Sequence, residues 1–118
     1  MSSPAEWRPT GAMTIEHAAA LWKDAASQLA SASDLAVGVS DIAADVRLVM
    51  HVDLASIERL DTAGCQILLA CREDARRRDL GWRLTGCTPQ ALEVMRLLCC
   101  DGVLEANDNA AITEETER

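Results

Sequence analysis

Residues 47–54, RLVMHVDL, constrain this chain more than any other stretch. Leu48, Met50, Val52 and Leu54 point one way, while Val49, His51 and Asp53 point the other. That is the period of two of an extended strand with one strongly apolar face. Such a face must be covered by a second layer. The flanking segments offer one, because their apolar residues recur at helical rather than strand spacing.

Before this strand, Thr14 is placed to cap a first helix. Ile15, Ala18, Trp22, Ala25 and Leu29 recur at three- and four-residue steps and predict its buried face, with Lys23, Asp24 and Gln28 on the wet side. The pattern fails near Ser31-Ala32-Ser33-Asp34, read as an exit loop, and residues 35–39 read as a strand or loop edge. After the strand, residues 55–60 read as a connecting segment. A second helix is expected from 62 to about 78, with Ile67, Leu68, Cys71 and Ala75 inward and Gln66, Glu73, Arg76 and Arg77 outward. Gly81 breaks the chain, and Trp82-Arg83-Leu84-Thr85 is a short strand. Thr88-Pro89 then opens a third helix as N-cap and first helical residue. Leu92, Met95, Leu98 and Cys99 give it an apolar face, Asp101-Gly102 stops it, and Val103-Leu104 can add a last edge strand. Strands alternating with helices predict an α/β domain: a small mixed sheet of four to five strands, helices mainly on one face, and some parallel pairs.

At 118 residues the chain has room for one core and one domain. The expected organisation is an N-terminal segment 1–10 able to supply an edge strand, a domain over 11–106, and an acidic flexible tail over 107–118. Without Phe or Tyr, and with only Trp7, Trp22 and Trp82, the core must be mostly aliphatic. A net charge of -8 argues against nucleic-acid binding. Arg72, Arg76, Arg77 and Arg78 fall at a helix end, where they complement the helix dipole. No stretch approaches the roughly 18–20 apolar residues that span a bilayer. MSSPAEWRPTG lacks the charged and apolar regions of a secretion signal. Five cysteines (65, 71, 87, 99 and 100) contain no Cys-x-x-Cys pair, and His17 and His51 are far apart. Neither a disulfide framework nor a metal site is expected, and the setting is read as a reduced cytoplasm.

The chain contains no phosphate-cradling Gly-Lys-Ser/Thr loop, no Gly-x-Ser-x-Gly elbow and no His-Glu-x-x-His pair. No catalytic residue and no cofactor are expected, and His51 is read as a hydrogen-bonded sheet residue. What remains is Asp61-Thr62-Ala63-Gly64 at a strand-to-helix junction. Asp61 or Thr62 can cap the helix there. A phosphate on Thr62 would equally suit the partial positive charge and free N–H groups of that helix end. Ala63 and Gly64 are read as keeping bulk away from the hydroxyl. Cys65, in the first helical turn, is either a thiol of lowered pKa or a small apolar filler. Of Cys99 and Cys100, one should be buried and one partly exposed on the helix.

The order of these motifs resembles the STAS domain, the fold of anti-sigma factor antagonists that also occurs in sulfate transporters. The resemblance runs from VDLASIERLDTAGCQILLACREDARRRDLGWRLTG into TPQALEVMRLLCCDGVL, over half of the chain. It rests on Asp53-Leu54-Ala55 at the strand end, on Asp61-Thr62-Ala63-Gly64 at the helix start, and on Thr88-Pro89 and Gly102-Val103-Leu104 further on. It implies a single STAS-like domain that regulates by binding a protein rather than by catalysis. It implies that Thr62 is the phosphoacceptor of a histidine-kinase-like Ser/Thr kinase that is also the anti-sigma partner. Asp61, Thr62, Ala63, Gly64 and Cys65 would form the docking surface of a monomer or weak dimer. Residues 30–47 look longer than the family's usual link, and the N-terminal part looks short. Thr in place of Ser also resembles STAS subunits that grip the ATPase of lipid-transport ABC complexes, and stand-alone domains associated with chemotaxis look similar.

Overall fold

The computed structural model describes residues 5–42 and 48–105. In chain order these form β1 (Glu6–Trp7), β2 (Gly11–Met13), a 3-10 turn (Ile15–His17), α1 (Ala18–Ile42), β3 (Val49–Asp53) and β4 (Ile57–Leu60). Then come α2 (Thr62–Arg77), β5 (Gly81–Thr85), α3 (Pro89–Leu97) and α4 (Asp101–Glu105). The expected tail over 107–118 and the end of the 31–46 segment lie outside the described residues.

The alternating run folds as its pattern requires. β3 is the middle strand of a three-stranded sheet, flanked by β1 and β5, both parallel to it. Trp7, Met50, Val52, Trp82 and Leu84 are buried on one side. Glu6, His51, Asp53 and Thr85 fall on the other and are partly exposed. β2 and β4 form a second, two-stranded parallel ladder. The fold is a small α/β domain, with its five strands divided between two parallel ladders.

Both buried indoles are satisfied in ways that lock layers together. Trp7 Nε1 donates to Asp24 Oδ2 of α1 at 2.7 Å. Trp82 Nε1 donates to the Leu104 carbonyl of α4 at 2.9 Å.

Four expectations are corrected. The first concerns the N-terminal helix. Thr14 makes no side-chain cap, Ile15 is 68% exposed and Trp22 is 39% exposed. The three residues after Thr14 wind as a 3-10 turn, so the α spacing starts only at Ala18. From there the inward stripe is Leu21, Ala25, Leu29 and Ala32. Second, that stripe runs through Ala32 to Ala36, so Ser31 to Asp34 continue the helix and residues 35–39 are helical, neither loop nor strand.

Third, residues 57–60 of the expected connector are β4. Gly11 pairs with Ile57 but Ala12 with Arg59, leaving Glu58 as an extra, bulged residue. The bulge brings both Ile57 and Leu60 inward although they are three apart. Fourth, α3 ends before Asp101-Gly102. Cys99 takes a left-handed φ of 59°, and Cys100 N–H bonds the Met95 carbonyl at 2.9 Å, a Schellman stop. Leu98 and Cys99 are therefore exposed, Cys100 is buried, and Val103 and Leu104 belong to α4 rather than to an edge strand. The same stop ends α2, with Asp79 left-handed and Leu80 N–H bonded to Ala75.

Candidate functional site: the head of α2

β4 delivers the chain to α2 through one extended residue, Asp61. Its Oδ1 accepts from Gly64 N–H at 3.0 Å, closing the helix cap. Its Oδ2 accepts from Ile15 N–H at 3.1 Å, tying the 3-10 turn to the same carboxylate. Asp61 N–H in turn donates to the Met13 carbonyl of β2 at 3.2 Å. A negative charge at a helix N-terminus is favourable, and here it also joins two chain segments distant in sequence.

Because Asp61 does the capping, Thr62 does not. Thr62 is exposed, and among the described residues its hydroxyl has no hydrogen-bond partner. Ala63 beside it is half-buried. Gly64 faces inward instead of opening the approach to the hydroxyl. A Cβ there would collide with the Met13 carbonyl oxygen and Leu60 Cδ1, so glycine lets α2 sit against β2 and β4. Cys65 is 2% exposed and lines the core rather than the docking surface. Burial, with Cys100 and Asp61 adding to it, pushes its thiol up to about 12. That is the opposite of the lowered value a redox thiol needs, and with its burial it speaks against the Cys65 redox reading.

Two residues that the sequence did not assign to this site complete it. Gln90, on α3, accepts from Leu60 N–H and donates to the Leu60 carbonyl, each at 2.9 Å. The side-chain amide thus pairs with β4 as one residue of a neighbouring strand would. Thr88 Oγ1 accepts from Ala91 N–H at 3.1 Å and so fixes the turn of α3 from which Gln90 reaches. Ile15 is the other, an exposed apolar side chain whose own amide is held by Asp61. A Gln directly after a Thr-Pro helix start was the visible signal for the first. Ile15 was read as the first residue of the buried helical face, but it lies in the 3-10 turn that precedes α1.

Elsewhere, His51 Nε2 and Thr85 Oγ1 are 2.7 Å apart, and Glu6 Oε2 lies 3.9 Å from His51 Nδ1, so His51 is a hydrogen-bonded sheet residue as expected. Arg76 pairs with Glu73, and Arg77 and Arg78 pair with Asp74, consistent with a solvated helix end. Among the described residues no group of three or more His, Cys, Asp or Glu is arranged to hold a metal ion. No described helix is long and apolar enough to cross a membrane.

A family model described as the Mlab STAS domain matches residues 42–105, more than half of the chain and the whole of β3 through α4. The chain belongs to the STAS family. STAS domains are in general non-enzymatic modules that act by binding other proteins, and the head of α2 lies within the matched region of this one. A search of curated proteins finds no match to this STAS domain.

Proposed function

We propose that this STAS domain is a non-catalytic cytoplasmic regulator that docks a protein partner on the Asp61–Thr62 surface and the first turn of α2, and that phosphorylation of Thr62 releases the partner. The observation that carries this reading is the exposed Thr62 hydroxyl, left without a hydrogen-bond partner among the described residues because Asp61 caps the helix in its place. Resemblance to anti-sigma factor antagonists supports a histidine-kinase-like Ser/Thr kinase as the partner. A phosphate would bring about -1.5 to -2 charges beside the Asp61 carboxylate. Both Asp61 oxygens already hold backbone amides, so the incoming phosphate meets a like charge that cannot turn away. Repulsion and the cost of desolvating the phosphate then act against the docked state. The test is incubation with ATP and the cognate kinase, followed by mapping of the phosphosite. Phosphate on Thr62 and loss of the complex in Thr62→Glu are expected; a verified kinase partner that leaves Thr62 unmodified overturns the switch.

A second reading is favoured by the Mlab description of the matched family. In it the same surface binds the ATPase of a lipid-transport ABC complex constitutively. Co-purification with an ATPase, loss of the complex in Thr62→Glu and no phosphate on Thr62 are its signature. A complex indifferent to Thr62→Glu counts against both readings.

A further inference from the structure

A cleft of about 520 Å³ opens between the β1–β2 turn, the start of α1 and β4. Pro9, Ala12 and Leu21 give it apolar walls, Arg8, Asp24 and Glu58 its charges, and Thr10 and the imidazole of His17 further polar groups. The charges do not cancel. Arg8 is already engaged, with Nη2 3.3 Å from Glu6 Oε2 and Nε 3.3 Å from Asp53 Oδ2. Among the described residues Asp24 is held only by the neutral Trp7 indole, through Oδ2. Glu58 has no hydrogen-bond or ion-pair partner among the described residues, and it is the bulged residue of β4. Bulges re-aim side chains, and this one places Glu58 on the cleft. The cleft therefore presents two carboxylates that, among the described residues, have no cationic partner, beside apolar walls.

We propose that this cleft receives a basic side chain, arginine or lysine, of the protein partner that docks at Thr62. The proposal deepens, and rests on, the reading of that surface as a docking site. An arginine or lysine combines an apolar stem with a charged head, which matches a cleft lined by both apolar residues and carboxylates. Glu58 is four residues before Thr62, or roughly 13 Å at strand spacing. One partner segment can thus span both features. Complementary charge at such a rim fixes orientation and speeds encounter more than it adds affinity.

The test needs no partner. Isotope-labelled protein is titrated with N-acetyl-arginine amide, N-acetyl-lysine amide and the uncharged N-acetyl-norleucine amide, and backbone amide signals are followed by NMR. Saturable shifts at Gly11, Ala12, Ala20 and Leu21 are expected with a cationic probe and not with the neutral one. Glu58→Gln alone should weaken the probe about threefold, and Asp24→Asn with it about tenfold, as for exposed ion pairs. Asn keeps an acceptor for the Trp7 indole, so the layer contact survives the substitution. Salt at about 1 M, where screening acts within about 3 Å, should weaken the probe similarly. Thr62→Glu should leave probe affinity unchanged, so failure of the switch and failure of the cleft are read separately. Absence of saturable shifts, an equal response to the neutral probe, or unchanged affinity in the double variant overturns the proposal.

Discussion

Asp61 uses its two carboxylate oxygens on two backbone N–H groups from different segments, Gly64 and Ile15. Thr62, next to it, contributes neither a cap nor a buried contact. Neighbours so alike in sequence terms should thus differ sharply in what they do for stability. Asp61→Ala is expected to cost about 1–2 kcal/mol, the size of a strong helix cap, in urea unfolding. Thr62→Ala should stay within about 0.5 kcal/mol, as exposed substitutions do. If Thr62→Ala proves as costly as Asp61→Ala, the hydroxyl is structural and the docking reading loses its basis. At this scale the sequence was readable in part. Asp-Thr-x-Gly announced a helix start, but either of its first two residues could have been the cap. The inward direction of Gly64 was not readable, because it depends on the Met13 carbonyl and Leu60, which the fold brings up from β2 and β4.

The helices α2 and α3 end alike, each with a residue in the left-handed region and a backward bond from the third residue after the helix. Nature of the residue matters there, since a Cβ in that conformation costs about 1–2 kcal/mol and glycine largely escapes the penalty. Cys99 is exposed and packs nothing into the core. Cys99→Gly should therefore stabilise the domain by about 0.5–1 kcal/mol, visible as a higher denaturation midpoint without a change of slope. Elements with one clean period were legible: β3, α2, β5 and the start of α3 lie where the spacing puts them. Those that mix geometries were not. The 3-10 turn put Ile15 outside the inward stripe of α1, although Ala18, Ala25 and Leu29 lie inward as their spacing predicts, and the bulge at Glu58 erased the alternation of β4. The pair Val103-Leu104 was too short to carry a period. It became helical because Trp82 Nε1 reaches the Leu104 carbonyl and Leu104 N–H reaches Cys100.

For the whole molecule, the aliphatic core inferred from composition includes thiols as filler. Burial pushes Cys71 up to about 12, with Asp74 adding to it, and Cys65 reaches about 12 as well. Unfolded, these thiols return to about 9. Between those values the folded chain keeps protons that the unfolded chain gives up, so stability falls as pH rises. It is fully present below about pH 9 and lost progressively towards pH 12. Melting temperature should thus drop across this alkaline window and drop less steeply in Cys71→Ala, whatever that variant loses at neutral pH. An equal slope in both proteins would locate the alkaline sensitivity elsewhere. Thiol labelling at neutral pH should find Cys99 open and Cys65 and Cys71 closed until the domain unfolds.

The Gln90 amide has a consequence for the company this protein keeps in a crowded solution. Two-stranded ladders leave bare edges, and bare edges recruit strands from other chains. At Leu60 the outward N–H and carbonyl are already taken by a side chain of the same molecule. The strand leading to Thr62 is thereby closed, at that residue, to backbone pairing with a stranger. Whatever approaches the head of α2 must recognise side chains and shape there, which favours a specific partner over a sticky one.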